Sequence, residues 1–246
     1  TWNWKQAMEE TRRMATYLKS LPLPPKSHIA LISKNTAHWL MTDWAIWMAG
    51  FVSVPLYPTL AAETIRQILE HSEAKLLFVG KGFESAAASM EGMLPHVEQV
   101  ITDPEARALV DSTARAPFEA SAPDDAVLQL YTSGTTGNPK GAVLSNRNLF
   151  ALRKHSNQAD LAYTKWDDDE VVLVAMPCAH IGGTGLGIMS VAAGLPAYIL
   201  AEFTPDGFFD SVETGGVTRL FIVPAALHIL LQHPRCAMVD FSRLKY

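Results

Sequence analysis

Hydroxyl groups, glycines and one cation are concentrated in residues 132–140, directly after the apolar run AVLQLY of residues 126–131. The glycines allow backbone N–H groups to approach a ligand closely, and the hydroxyl groups and the cation supply further donors. Charge-assisted hydrogen bonds to an anion contribute roughly 1.5–3 kcal/mol each, so these donors suit a polyphosphate. An ordinary loop of small residues between strands is the alternative interpretation. The candidate phosphate ligands are Thr132, Ser133, Gly134, Thr135, Thr136, Gly137 and Lys140.

The string YTSGTTGNPKG, residues 131–141, favours the phosphate interpretation. It is not the P-loop of nucleotide triphosphatases, because Gly134 is followed by Gly137 and because Lys140 is followed by glycine rather than by Ser or Thr. Residue for residue it resembles the phosphate-binding signature of the AMP-forming adenylating enzymes, which include acyl-CoA synthetases, luciferases and the adenylation domains of peptide synthetases. The segment WMAGFVSVPLYPTL, residues 47–60, is also similar to this family, although we expect it to form a helix end and a strand without a catalytic role.

A second candidate group, PCAHIGG, follows the apolar run of residues 171–176. Its glycines do not form a dinucleotide-binding motif, because the third glycine that the motif needs would fall on Ile188 or Ser190. In the adenylating family a Pro-x-x-His followed by Gly lies where a strand end meets the carboxylate substrate, and this resemblance predicts that His180 faces the site. A lone histidine among apolar residues is more often a core residue, which is the alternative. The candidate substrate-binding residues are His180, Gly182, Gly183, Gly185 and Pro224.

The resemblance implies a two-step activation of a carboxylic acid. The carboxylate attacks the α-phosphate of Mg-ATP to give an acyl-adenylate and pyrophosphate, and a thiol, usually that of coenzyme A, then displaces AMP. The family pattern assigns residues 132–137 and Lys140 to the β- and γ-phosphates, and a Thr135 or Thr136 hydroxyl to Mg²⁺. The candidate catalytic residues are Lys140, which would stabilise charge on the leaving pyrophosphate, and His180, which would orient the carboxylate or gate the acyl channel.

Residues 171–201 contain no Asp, Glu, Lys or Arg, and this narrows the range of carboxylic acids that the protein is expected to activate. A relative that activates amino acids needs a carboxylate soon after the PCAH position, because burying the substrate ammonium without a partner would be prohibitive. We therefore expect a medium- or long-chain fatty acid. The apolar candidates for its pocket are Ile181, Leu186, Ile188 and Met189. In the adenylating family the helix that begins at Pro224 walls the acyl pocket, so the resemblance adds Ala225, Ala226 and Leu227, for which packing in the core is the equal alternative.

Composition excludes several classes of protein. The chain has 246 residues, of which 48% are hydrophobic and 18% charged, as is typical of a soluble globular protein. A formal net charge of −5 without a Lys/Arg cluster argues against nucleic acid as a partner. Prolines, a histidine and glycines interrupt residues 171–201, which favours a buried strand–helix–strand unit over a transmembrane segment. Cys178 and Cys236 lack the spacing of a zinc site and are expected to be reduced thiols in a cytoplasmic protein, whose oligomeric state stays open.

Apolar runs of strand length alternate with helical patterns along most of the chain. This alternation predicts an α/β fold with two mostly parallel sheets flanked by helices, which by resemblance are the layered subdomains of the large N-terminal domain of AMP-forming acyl-CoA synthetases. Residues 1–24 and 165–246 are expected to form one subdomain and residues 25–164 the other. The predicted strands are residues 28–32, 51–55, 75–79, 97–102, 126–131, 141–145, 171–176, 197–200 and 218–223; the predicted helices are residues 4–18, 36–49, 61–71, 148–162, 205–213 and 224–232.

Two stretches of the sequence give little indication of secondary structure or function. Residues 80–125 are interpreted mainly as surface connection, because residues 84–89 are small and residues 114–125 are rich in Pro, Ala and Asp. Residues 167–170 are four consecutive carboxylates, DDDE. A solvated turn is favoured there over a metal site, because adjacent side chains point in different directions.

The chain also lacks the family's adenine-binding Tyr-Gly-x-Thr-Glu, its ribose-binding Asp and its small C-terminal domain. We therefore expect a partial N-terminal AMP-binding domain that is inactive, or nearly so, on its own. Three interpretations remain open. The chain is part of a fatty-acid-CoA ligase, part of a fatty-acyl-AMP ligase that delivers its product to a carrier protein, or a non-catalytic nucleotide-binding module.

Overall fold

A computed structural model of the chain describes residues 1–89, 94, 96–117, 121–133, 139–151 and 165–245. Contacts between residues divide it into two units. Over its described residues, unit 1 comprises Thr1–Lys34 and His38–Phe150, and unit 2 comprises Asn35–Ala37 and Ala151–Tyr246. Each unit contains a sheet flanked by helices, which confirms the predicted α/β class.

The sheet of unit 1 is almost entirely parallel. Its strands are β1 His28–Ile32, β2 Val52–Leu56, β3 Leu76–Val79, β4 Gln99–Thr102, β5 Ala126–Ser133 and β6 Pro139–Ser145. They are arranged in the order β4-β3-β1-β2-β5-β6, and the edge strand β6 pairs antiparallel with β5. Strands of a parallel sheet are buried on both faces, which explains why HIALI in β1 and LLFV in β3 are continuous apolar runs.

Helices flank this sheet. They are α1 Trp4–Ser20, α2 Ala37–Met48, α3 Ala62–Ser72, α4 Glu84–Ser89 and α5 Asp103–Ser112, and residues 146–151 are also helical. A capping box between Asn3 and Gln6 begins α1, whose buried face packs against α5. Ile65, Ile68 and Leu69 of α3 are buried against β1, β2 and β3, so α3 covers one face of the sheet.

Unit 2 contains a smaller parallel sheet. Its strands are β7 Val172–Val174, β8 Ala197–Ile199 and β9 Arg219–Leu220, in the order β8-β7-β9. Its helices are α6 Ile181–Ala193, α7 Pro205–Glu213 and α8 Pro224–Gln232, and a 3-10 helix, Pro234–Ala237, follows. Residues 172–199 thus form a strand–helix–strand unit, as predicted for the uncharged stretch.

Several expectations need correction. Residues 80–125 contain α4 and α5 as well as the expected strand β4. Residues 1–24 belong to unit 1 rather than with residues 165–246, because α1 packs against α5, a helix that the sequence analysis did not identify. The predicted helix 148–162 begins at residue 146, and residues 152–164 lie outside the described part.

The acidic run 167–170 is only partly a solvated turn. Asp167 and Asp169 are exposed and pair with Lys245 Nζ at 2.9 and 2.8 Å. Glu170 is instead buried at 1% exposure, and it holds Arg219 through contacts of 2.6 and 2.9 Å. One of the four carboxylates therefore stabilises the interior of unit 2.

Candidate functional site

The string YTSGTTGNPKG lies on the hairpin formed by β5 and β6 in unit 1. In its antiparallel register, Thr132 lies opposite Lys140 and Ser133 lies opposite Pro139. The candidate phosphate ligands that lie outside the described residues are Gly134, Thr135, Thr136 and Gly137, together with the side chain of Ser133. The described part thus places Thr132 and Lys140 side by side near the ends of β5 and β6 that border residues 134–138.

Thr132 and Lys140 project from the same side of the hairpin. Directly opposite residues of an antiparallel pair share a face, with Cβ atoms about 4.5–5.5 Å apart. Both side chains are exposed, whereas Tyr131 on the other face packs into the core beneath α3. A hydroxyl donor and an ammonium on one exposed surface can bind the same phosphate group.

His180 forms the N-cap of α6 at the end of the turn that follows β7. Its Nδ1 accepts a hydrogen bond from the Gly182 N–H at 3.0 Å. A neutral imidazole that accepts through Nδ1 carries its proton on Nε2. Because the side chain is exposed, the ring presents an N–H donor at the surface, which is the group that orienting a carboxylate requires.

The three candidate glycines of α6 have different surroundings. A Cβ at Gly183 would collide with two backbone carbonyl oxygens of the preceding turn, so the close approach of helix and turn requires glycine. At Gly182 a Cβ would lie 3.3 Å from Phe221 Cε1, whereas among the described residues no atom lies within 4 Å of the Cβ position at Gly185. Gly183 therefore shapes the turn, and Gly185 borders open space that a ligand can occupy.

Pro224 and Phe221 lie at the same sheet edge as His180. Strands β7 and β9 are parallel neighbours, so their carboxyl ends meet at this edge, which is where open α/β sheets bind ligands. Pro224 is the exposed first residue of α8. Phe221 is 50% exposed beside Gly182, and the sequence analysis did not single it out. Phe221 could have been identified as a candidate site residue only from the pairing of β9 with β7, because this pairing brings the end of β9 next to the turn that follows β7.

An apolar stripe runs along the exposed side of α6, starting next to His180. Ile181 and Met189 are 42% and 44% exposed, and Gly185 lies between them at the four-residue spacing of one helix face. No charged residue occurs in α6. Leu186 is partly buried, but Ile188 is a buried core residue and not part of the exposed stripe. Ile181, Leu186 and Met189 therefore stay candidates for contact with an acyl chain, whereas Ile188 does not.

Asn35 fixes the turn that presents His180. Its side-chain amide donates to the Met176 carbonyl at 2.9 Å and accepts from the Cys178 N–H at 2.7 Å. Both bonds lie within unit 2, and Asn35 is buried. The sequence analysis missed this residue because more than a hundred residues separate it from the turn.

Two further expectations concern metals and membranes. Over the described residues, no group of three or more His, Cys, Asp or Glu side chains is arranged to hold a metal ion. The residues expected to contact Mg²⁺, Thr135 and Thr136, lie outside that part of the chain. Among the helices that the structure describes, none is long and apolar enough to cross a bilayer.

Comparison with known proteins gives a consistent result. A family model described as "AMP-binding enzyme" matches residues 1–246. A fatty acid–acyl-carrier-protein ligase, ScoC of Streptomyces coeruleorubidus, is 30% identical over all of this chain and 47% of its own length. A long-chain-fatty-acid–CoA ligase, FadD15 of Mycobacterium tuberculosis, is 32% identical over 82% of this chain and 35% of its own length. The chain thus spans half or less of the length of these relatives.

The fold is also similar to that of solved structures. The N-terminal domain of FACL13 from Mycobacterium tuberculosis superposes with a TM-score of 0.88 at 23% identity, covering 98% of this chain and 61% of that domain's chain. At this level of identity the comparison shows the fold alone.

Proposed function

Because the chain belongs to the AMP-binding enzyme family, we propose that the protein uses ATP to activate a fatty acid, forming an acyl-adenylate and then an acyl-CoA. The observation that carries the substrate class is the apolar stripe of α6, which starts beside the exposed His180 and contains no charge. An uncharged surface suits an alkyl chain, whereas an amino acid would leave its ammonium without a partner.

The proposed roles of the residues are those that the resemblance to the adenylating family implies. The substrate carboxylate attacks the α-phosphate, and charge accumulates on the departing pyrophosphate as the bond breaks. Lys140, with the Thr132 hydroxyl on the same face, stabilises that charge through donors already in place. The Nε2–H of His180 holds the attacking carboxylate. A Mg²⁺ ion bound with ATP would supply further charge neutralisation, and the hydroxyl of Thr135 or Thr136 would be its ligand.

Fatty-acid-dependent exchange of pyrophosphate into ATP tests this function in the whole protein. We expect Lys140→Ala to slow exchange by about one to three orders of magnitude, because it removes one charge contact from the transition state. Lys19→Ala is the matched control, since Lys19 is an exposed lysine in the last turn of α1. Exchange that is equally fast in the Lys140 and Lys19 variants would exclude the proposed role of Lys140.

The chain length of the preferred fatty acid tests whether the apolar stripe of α6 binds the alkyl chain. A Cβ added at Gly185 meets no described atom within 4 Å, so this position is suited to a larger side chain. If the stripe binds the alkyl chain, Gly185→Trp shifts the preferred substrate from long-chain to shorter fatty acids. A chain-length profile identical to that of the unsubstituted protein would remove α6 from the acyl pocket.

A carrier protein is the second candidate acceptor, in place of coenzyme A. It is favoured by the 30% identity to a fatty acid–acyl-carrier-protein ligase over the full chain. Supplying preformed acyl-adenylate with either coenzyme A or a phosphopantetheinylated carrier protein separates the two. Formation of acyl-CoA supports the first candidate, and acyl transfer to the carrier alone supports the second.

A further inference from the structure

A polar chain connects the β5–β6 hairpin to helix α3 within unit 1. The Tyr131 hydroxyl lies 2.7 Å from His71 Nδ1, and the two rings meet edge to face with centroids 5.7 Å apart. On its other side, the same hydroxyl accepts a hydrogen bond from Gln129 Nε2 at 3.0 Å. Gln129 and Tyr131 are both buried. The hydroxyl is thus the link between a strand of the hairpin and the last turn of α3.

One bond of this chain has a fixed direction. The amide nitrogen of Gln129 can only donate, so the Tyr131 oxygen is its acceptor. The bond between the Tyr131 hydroxyl and His71 Nδ1 joins the two side chains with either group as the donor, depending on the tautomer of the imidazole. Burial raises the pKa of Tyr131 to about 12, so the hydroxyl keeps its proton at neutral pH.

Gly141 of β6 lies directly opposite Tyr131 and next to the Gln129 side chain. It pairs with Tyr131 across the hairpin, and a Cβ at Gly141 would lie 3.0 Å from Tyr131 Cζ and closer still to the Gln129 amide nitrogen. A larger residue at this position would therefore displace the Gln129–Tyr131 pair from its hydrogen-bonded arrangement. Moving β6 by one residue would place Lys140 or Ala142 at this position, where even a methyl group collides.

The register of β6 needs such a constraint. As the edge strand of the sheet it has β5 as its neighbour, and the pairing of these two strands already contains one irregularity, between Ala126 and Leu128. A slip of one residue moves every side chain of a strand to the opposite face. Lys140 would then leave the face that it shares with Thr132.

We infer that Tyr131, held by His71 and Gln129, is a positioning residue that locks the hairpin register and so keeps Lys140 directed at the phosphates of ATP. This inference rests on the proposed function for its catalytic consequence, but the lock itself is a property of the hairpin. The two parts are tested separately.

Hydrogen exchange tests the lock without any turnover. Tyr131→Phe removes one hydroxyl and keeps the ring, and we expect the β6 amides to exchange roughly two- to tenfold faster, as the loss of one hydrogen bond allows. Tyr17→Phe is the matched control, because the Tyr17 hydroxyl also accepts from a glutamine amide, Gln99 Nε2 at 3.2 Å, but on the exposed surface. Equal protection of β6 in the two variants would overturn the inference.

Kinetics in the whole protein test the positioning of Lys140. We expect Tyr131→Phe and His71→Ala each to lower kcat for fatty-acid-dependent pyrophosphate exchange roughly three- to tenfold, because Lys140 acts in the transition state, while KM for the fatty acid stays unchanged. The double variant is expected to be no worse than Tyr131→Phe, because both changes break the same bond. His71→Asn should restore the original kcat, since the Asn side-chain amide can either accept from the Tyr131 hydroxyl or donate to it.

The possible outcomes are distinguishable. Faster hydrogen exchange in β6 without any change in kcat would overturn the positioning role, as would a His71→Asn variant that behaves like His71→Ala. If the unsubstituted whole protein shows no fatty-acid-dependent pyrophosphate exchange, the proposed function fails, and hydrogen exchange then decides the register lock alone.

Discussion

At the level of single residues, His180 combines a structural and a chemical role. Its Nδ1 caps α6, while the Nε2–H is available at the surface. We expect His180→Ala to lower stability by about 0.5–2 kcal/mol through the lost cap and to slow exchange as well. Asparagine is among the best N-cap residues but cannot supply the Nε2 donor, so His180→Asn should slow exchange while urea unfolding stays close to that of the unsubstituted protein. An Asn variant with full activity would limit His180 to capping.

Gly183 and Gly185 provide a matched pair within one helix. Gly183→Ala forces the helix away from the carbonyl oxygens of the preceding turn, and such overpacking costs about 1–3 kcal/mol. Gly185→Ala meets no atom and gains helix propensity, so it should be neutral or stabilising by up to about 1 kcal/mol. Thermal unfolding of both variants measures the difference. Equal melting temperatures would contradict the close approach of α6 to the turn.

At the level of elements, the pair Glu170–Arg219 joins the start of β7 to β9. Both side chains are nearly fully buried, and Arg219 also stacks on Trp166 at 4.1 Å. Removing one partner of a buried pair leaves the other charge uncompensated, which costs about 3–5 kcal/mol, so Glu170→Gln should strongly destabilise unit 2. Asp210→Asn is the control, because Asp210 is one of three carboxylates around Arg235 on the surface. Urea unfolding in which the two variants lose the same stability would contradict the structural role of Glu170.

The elements with strong local signals were predicted from the sequence. Helices α7 and α8 begin at Pro205 and Pro224, as predicted, because proline is favoured in the first helical turn. Helix α5 was missed although Thr102 and Glu105 form a capping box, a signal that the alanine-rich surroundings obscured. Local sequence does not show which strand pairs with which, so the antiparallel pairing of β6 became visible only in the structure.

At the level of the whole molecule, predictability depended on sequence distance. The motif grouped Thr132 and Lys140 because both belong to one continuous string, but the sequence analysis placed them outside the strands, whereas the structure places them on β5 and β6, directly opposite each other. Two residues stabilise the candidate site residues from distant positions in the sequence. Asn35 holds the turn before His180, and His71 contacts the hairpin through Tyr131. Neither residue belongs to a recognisable motif. The assignment of residues 1–24 differed from the structure for the same reason, because it depended on the contact between α1 and α5.

The stability of unit 1 should depend on pH through two histidines. Burial lowers the pKa of His28, and burial and the nearby Arg107 lower that of His38. As pH falls through about 6.5, the unfolded chain therefore takes up protons before the folded state does, and the free energy of unfolding decreases. Exposed carboxylates whose pKa is lowered, such as Glu63, affect the free energy of unfolding in a different pH range. Their stabilising contribution is lost only as pH falls below about 4.5.

Tryptophan fluorescence can follow this effect, because five of the six tryptophans, Trp2, Trp4, Trp39, Trp44 and Trp47, lie in unit 1. Urea unfolding between about pH 5 and about pH 8 should show stability rising with pH, and the double variant His28→Gln/His38→Gln should flatten the slope. His228→Gln, on the exposed surface of α8 in unit 2, is the control and should leave the slope unchanged. A slope that persists in the double variant would show that groups other than these two half-buried imidazoles govern the acid sensitivity of unit 1.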